Sequence, residues 1–593
     1  VLLSDLDVSI IQHEKEFRLG VHKYPGNTWE PKGHKYAQSF KLDPMPTITY
    51  RVGGVQLKRE IILIQDEARI LIRYTLLDAH SPTKLKLQPF LAYRNVHTLS
   101  KENGYANTAV ENIPNGIKSQ MYTNYPHLFM QTSKKCKFVA SPDWYRDIEY
   151  IEEEKRGYEF SEDLFVPGYF EVEIKKDESI VFSAGLKQTT GKTLNAQFEN
   201  EITSRTPRNS FSNNLKNAAQ QLIIRGKDKT EIVAGFPWYG RRGRNTFSSL
   251  PGLTLSVGDT KTCEEVLDTM SAELNGCLFP NEGYNETAAL NSVDAPLWYF
   301  WAIQKYAEKS KKYAAIQKKY WPKMKTILEG YRAGTDFSIN MNENGMIWAG
   351  SEGLALTWMD AVVDGKPVTP RTGYAVEVNA LWYNAVRFAL DLAKRFKDTA
   401  FVETWKDLPE QIETSFVLLF WNEGRNYLAD YVNDEKTDWA VRPNQIFAAS
   451  LPYSPLTKRM KKAVVDKVQT ELLTKKGLRT LSPKNPNYKG IYEGNQVERD
   501  NAFHQGSAFP WLLGHFAEAY LMLHEKSGYA FIRKIYLGLE KEMTRHGLGS
   551  ISELFDGDPP SHPRGAISHA GSVGELLRIN EMLMQHEGKK VSK

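Results

Sequence analysis

Two groups of carboxylates sit where chemistry could be done. Asp360 closes a tract with Trp348 and Trp358 and precedes the turn residues Asp364, Gly365, Pro367 and Pro370. The second group is Glu553, Asp556 and Asp558 in ISELFDGDPP. Hydrolysis of a glycosidic bond needs such a pair: one carboxyl gives a proton to the leaving oxygen, and an ionised one acts on water or on the sugar. Aromatic walls remove water from a carboxyl and raise its pKa, which suits a Trp-flanked Asp to the donor role. Asp, Gly and Pro are also ordinary turn residues, so the same acids read equally as loop solvators. Spacing alone does not show that the two groups face each other.

Other chemistries find little support. The chain has no GxSxG and no HExxH among its 13 His. Its three cysteines, Cys136, Cys263 and Cys277, show neither CxxC nor Cys/His ligand spacing, so no metal or cofactor is expected. The cysteine usage points to reduced thiols in a cytoplasm. GLKQTTGKT imitates a phosphate loop, but Gly185 and Gly191 are separated by five residues where the motif needs four. The formal charge of +5 is spread over 76 basic and 71 acidic residues with no dense basic block, which argues against nucleic acid. No run of about 18 apolar residues points to a membrane. VLLSDLDVSI lacks a signal-peptide pattern, and the chain starts without Met in what reads as a strand, so a preceding segment is expected to be missing. Aromatic residues make up 12% of the chain, with 13 Trp, and suit stacking on flat apolar ligand faces such as sugar rings.

The elements that must position these residues change character along the chain. To about residue 190 the period is two: Val55, Leu57 and Arg59 alternate, QDEA turns, and Ile70, Ile72 and Tyr74 resume. After about residue 205 the period is helical, as in Leu381, Ala385, Phe388, Leu392 and Phe396, or Leu513, Phe516, Tyr520 and Leu523. The expected organisation is a β-sandwich domain over 1–190, a linker or linking helix over 191–215, and a helical domain over 216–593. The fold class is multi-domain β plus α: an antiparallel β-sandwich of the supersandwich type followed by an (α/α)6 barrel, with the odd residues in long loops.

Seven ordered stretches carry a resemblance: PFLAYRNVHTLS, AGFPWYGRRGRNTFSSLPGLTL, NSVDAPLWYFWAIQ, TWMDAVVDGKPVTPRTGYAVEVNALWYNAV, RPNQIFAASLP, GLRTLSPKNPNYKGIYEGNQVERDNAFHQGSAFPWLLG and ISELFDGDPPSHPRGAIS. In them the chain resembles prokaryotic glycogen debranching enzymes, the stand-alone amylo-α-1,6-glucosidases, whose barrel is related to that of glucoamylases. The resemblance implies an inverting, exo-acting glucosidase with Asp360 as general acid and Glu553 as base, Asp556 and Asp558 being rivals for the base. It implies substrate contacts from Arg244, Asn245, Arg371, Glu377, Asn379, His504 and Gln505. Trp238, Tyr239, Trp298, Trp348, Trp358 and Trp511 read equally as pocket walls or core. Asp294 reads equally as a ligand contact or a helix cap, with Pro296 two positions on.

Two departures fall at expected substrate contacts. The family pattern Trp-Gly-Arg-Asp is replaced by Arg242-Gly243-Arg244-Asn245, and Gln-Ala-Trp-Ser by His569-Ala570-Gly571-Ser572. A neutral Asn roughly halves a charge-assisted bond. The expected activity is release of α-1,6-linked glucose from branch stubs of glycogen or a related α-glucan. The alternatives are a glucan-binding relative without turnover and an α-1,4 exo-glucosidase.

Overall fold

The computed structural model describes residues 1–281, 290–350 and 353–591. Part of the loop NEGYNETAALNSVDAP and two residues of the loop before Asp360 lie outside the described residues. Two compact units divide the chain, Val1–Asn209 and Ser210–Lys593.

The first unit contains a five-stranded and an eight-stranded sheet. Leu3–Gln12 runs antiparallel to Thr83–Leu91, with Val8 opposite Leu87, and Val55–Leu63 runs antiparallel to Arg69–Asp78, with Leu57 opposite Leu76. Side chains alternate between faces along a strand, so Leu6, Val8 and Ile10 share one core with Val55, Leu57, Ile72 and Tyr74. Ile62, Leu71 and Val181 are buried on the other face, because the helix Gly191–Ser204 lays Leu194 and Phe198 over them. The Thr190 hydroxyl caps that helix by accepting from the Thr193 N–H at 3.3 Å. The near-miss phosphate loop therefore joins the strand Ser179–Gly185 to a capped helix. The boundary between the two units falls inside the segment read as a linker.

In the second unit the inner helices close a ring. Gly243–Leu253 packs on Ala295–Ser310, which packs on Val376–Phe396, then Gln445–Ser450, Leu512–Leu537 and Ala570–Val591, and the last returns to the first. Phe211–Leu222, Thr260–Ser271, Leu408–Phe420 and Lys458–Glu471 pack outside them. An inner helix has neighbours on every side, and consecutive Trp298, Tyr299, Phe300 and Trp301 are accordingly all buried. The long helix Leu512–Leu537 breaks at Glu525, whose φ is 47°.

Five of the six loops that lead into these inner helices carry candidate residues. Tyr239 precedes Gly243–Leu253, Asp294 precedes Ala295–Ser310, Asp360 precedes Val376–Phe396, His504 precedes Leu512–Leu537 and Glu553 precedes Ala570–Val591. All of these chains enter at helix N-termini, so the acids gather at one end of the ring, where the helix dipoles favour negative charge. Short strand pairs stitch the loops together: Gly235–Phe236 with Ser568–His569, and Leu478–Arg479 through Ala508–Phe509 and Leu554–Phe555 to Pro563–Arg564.

Candidate active site

Asp360 is the partly exposed acid of the site, with 31% of its side chain open to solvent. Arg244, in the first turn of its inner helix, donates from Nη1 to Asp360 Oδ2 at 3.0 Å. Its Nε faces both oxygens of Asp294, at 2.8 and 2.9 Å, and Nη2 donates to Ser292 Oγ at 3.1 Å. Asp294 is fully buried, and among the described residues its charge is satisfied by this guanidinium and the Ser292 hydroxyl, which donates at 2.7 Å. Asp294 is thus neither a side-chain cap nor an open ligand contact; it orients Arg244 against Asp360.

Glu553 is buried, and the charge of Asp360 is felt at its carboxyl. Burial pushes its carboxyl above the usual range and the negative charge of Asp360 adds to that push, while the Ala566 N–H and the Tyr239 hydroxyl oppose it. Those two donors reach the same oxygen, Oε2, at 3.0 and 3.1 Å. Gly565 makes the approach possible: its φ is +66°, and a Cβ there would lie 2.4 Å from Oε2. The rivals for the base are occupied. Asp556 accepts from Arg564 Nη2 at 2.9 Å and the Tyr492 N–H at 2.8 Å, and Asp558 accepts from the Tyr488 hydroxyl at 2.8 Å.

Several residues expected to touch substrate instead brace the loop that carries Asp360. Arg371 is buried between Glu377 and Asp430, donating to Glu377 Oε2 at 2.6 Å and from Nε to Asp430 Oδ2 at 2.8 Å. Burial still pushes the Glu377 carboxyl up, against the pull of Arg371. Asn379 is spent on backbone: it accepts from the Ile347 N–H at 2.7 Å and donates to Ile347 O at 3.0 Å. Trp358 is buried and donates to Asn444 Oδ1 at 2.7 Å. Trp298 packs edge-on between Trp301 and Phe447 in the core. Gln505 bridges Arg442, whose Nη2 donates to it at 2.8 Å, and Val368 O, to which it donates at 3.2 Å. His504 is buried beside Trp358 and Phe509, its Nδ1 without a hydrogen-bond partner, and burial together with Arg442, Arg244 and Arg371 holds it neutral. The half-buried aromatics among the candidates are Trp238, Tyr239, Trp348 and Trp511, with Trp348 edge-on to Tyr374 at 5.2 Å and Trp511 edge-on to Trp358 at 5.1 Å.

The two departures from the expected pattern touch each other. Asn245 Nδ2 lies 3.3 Å from His569 Nε2. His569 is buried, and burial, with help from Arg242, pushes its pKa down to about 3. The Ser572 N–H donates to His569 Nδ1 at 3.3 Å, which leaves the neutral ring its proton on Nε2. That proton needs the amide oxygen of Asn245, so Asn245 turns its NH2 away from the ring; amide oxygen and nitrogen are assigned from such networks. Gly571 fits the same arrangement, because a Cβ there would meet His569 Cε1 and Trp511 Cβ, both at 3.1 Å.

Asp430, Arg442 and Asn444 also belong to this assembly; Arg442 and Asn444 fall in the stretch RPNQIFAASLP, and Asp430 carries no sequence signal. Tyr492 and Asp500 stand near the acids: the charges of Glu553 and Asp500 act on the Tyr492 phenol, and that of Asp360 acts on Asp500.

A family model described as amylo-alpha-1,6-glucosidase matches residues 216–578, and one described as glycogen debranching enzyme N terminal matches residues 1–181. The chain is similar to the glycogen debranching enzyme of Saccharomyces cerevisiae, with 24% identity over 408 residues. That match spans 51% of this chain and 26% of the yeast protein, so it reaches about a quarter of the relative's length. In fold the chain is similar to a bacterial glucoamylase solved in complex with acarbose, with a TM-score of 0.63 and 11% identity, covering 99% of this chain and 89% of that one. That likeness bears on the (α/α)6 fold alone.

Proposed function

Because the chain belongs to the amylo-alpha-1,6-glucosidase family, a family of glycoside hydrolases, we propose that it releases α-1,6-linked glucose from branch stubs of glycogen or a related α-glucan, with inversion. The observation that carries this reading is Glu553: a buried carboxylate that feels the charge of Asp360 and is held through Oε2 by two donors, so that Oε1 is left for a water. Asp360 gives its proton to the 6-oxygen as the bond to C1 breaks. Glu553 takes a proton from the water that attacks C1 from the other face, and β-glucose leaves. Arg244 at 3.0 Å then holds the carboxylate that Asp360 has become. The reading sets the protein in a cytoplasm, where its three free thiols stay reduced.

One observation favours a second reading, in which the roles are exchanged: Glu553 is the acid whose carboxyl is pushed up, and Asp360 is the one held by a cation. The two donors on Glu553 favour its ionised form, which supports the first assignment.

The experiment is glucose release from phosphorylase-limit dextrin, with the anomer of the first product read by NMR. β-Glucose release by the wild-type chain, abolished in Asp360→Asn and in Glu553→Gln, is expected. Retention of dextrin without glucose would make the chain a binding relative, as the Asn245 and Gly571 departures would allow. Faster cleavage of maltose than of branched substrate would make it an α-1,4 exo-glucosidase.

A further inference from the structure

A hydrolase that protonates a leaving sugar must also hold that sugar, and the loop and helix beyond Asp360 offer a surface for it. The helix Gln496–Phe503 is fixed at its start by a capping box, in which Asn495 and Glu498 bond each other's backbone N–H groups. It packs against the strand Val362–Val363, which begins two residues after Asp360. Just past its end, Gln505 donates to Val368 O at 3.2 Å and ties it to the far side of the same loop. The helix and the acid are therefore one rigid piece of the wall.

Two residues on this helix, Val497 and Asp500, are three positions apart and share a face. Val497 is 48% exposed, and Val362 on the adjoining strand is 40% exposed. Asp500 is partly exposed and bonds Gln496 one turn back, and the charge of Asp360 is felt at its carboxyl. A carboxylate beside a small apolar surface is the pair of features that recognises a sugar ring: the oxygens accept from hydroxyls and the apolar groups cover a C–H face. The Asp360 wall is the one from which the leaving oxygen is protonated, so a ring resting there belongs to the departing chain.

We infer that Asp500, with Val497 and Val362 beside it, binds the hydroxyls of the first glucosyl unit of the departing glucan chain and sets the preference for a branched leaving group. The inference rests on the reading of the chain as a glucosidase. Asp500 lies in the stretch GNQVERDNAFHQG, which carries the family resemblance but gives Asp500 no role in the chemistry described above.

The test compares Asp500→Asn with the wild-type chain on two substrates: a branched limit dextrin and α-glucosyl fluoride, whose leaving group is too small to reach the helix. Losing a charge-assisted bond to substrate is expected to lower kcat/KM on dextrin about tenfold or more, while the fluoride rate stays within about twofold. Val497→Ser, which leaves the capping box intact, is expected to raise KM for dextrin about two- to threefold. A displaced basic limb of the kcat/KM profile on dextrin would overturn the inference by showing that Asp500 acts through Asp360, and equal losses on both substrates would overturn it by showing a general disturbance of the pocket. No loss on either would overturn it as well. A wild-type chain that cleaves neither substrate would instead bring down the glucosidase reading, and this inference with it.

Discussion

The two walls of the site hold their carboxylates by opposite means. Asp360 stands partly in water on a loop pinned by buried charge: Arg244 with Asp294 on one side, and Arg371 with Glu377 and Asp430 behind. Glu553 is buried on a hairpin and held by two neutral donors, a phenol and a backbone N–H. Charged scaffolding is strong and brittle, since removing one partner leaves another buried charge bare. Neutral donors tune a pKa at little structural risk. On the proposed assignment the acid is set beside a cation, and the base is held by Oε2 with Oε1 left for the water.

The largest break in this comparison is Arg371→Ala. It strips two buried carboxylates of their common partner and is expected to cost about 3–5 kcal/mol, seen as a lost or strongly lowered unfolding transition. Next is Arg244→Ala, expected to lower kcat/KM on dextrin about 100-fold or more because Asp360 loses the cation that receives its charge, and to lower Tm as well because Asp294 is left buried without its cation. On the other wall Tyr239→Phe removes one donor that favours ionised Glu553. Glu553 must be ionised to act as base, so the acid limb of the kcat/KM profile is expected to move up by about one pH unit or less.

The smallest effect lies away from both walls. Glu575 is buried with Oε2 at 3.3 Å from Arg578 Nη1, and its carboxyl is pushed up to about 7 by burial, against the pull of Arg578. A folded pKa above the unfolded value near 4.5 means that the native state holds this proton more tightly. Its contribution to stability is full below about pH 4.5 and is lost as pH rises through 7, at most about 3 kcal/mol in all. Glu575→Gln is expected to flatten the fall in Tm between those pH values, leaving dextrin hydrolysis unchanged.

Much of this was legible in the residues. The alternation of Val55 and Leu57 against Ile72 and Tyr74 located a sheet, and the change of period after residue 205 located the helical ring. The carboxylates were legible as chemistry because they sit in loops among aromatics. Their roles were less so, because a sequence does not show which acids are paired. Glu377 and Asn379 look like pocket residues by position, yet both fall in the first turn of an inner helix, where one meets Arg371 and the other Ile347. Asp556 and Asp558 could be set aside only once Arg564 and Tyr488 were seen against them. The contact between Asn245 and His569 joins residues 324 apart, and no local pattern carries such a pairing.

The central claim is that Asp360 is the proton donor and Glu553 the base, and one comparison tests it: Asp360→Asn on limit dextrin and on α-glucosyl fluoride. Fluoride departs without a proton, so the account predicts a loss of about 100-fold to 10,000-fold on dextrin, with fluoride hydrolysis retained to within about tenfold. Full dextrin activity in this variant, or equal loss on both substrates with Glu553→Gln sparing the fluoride, would contradict it.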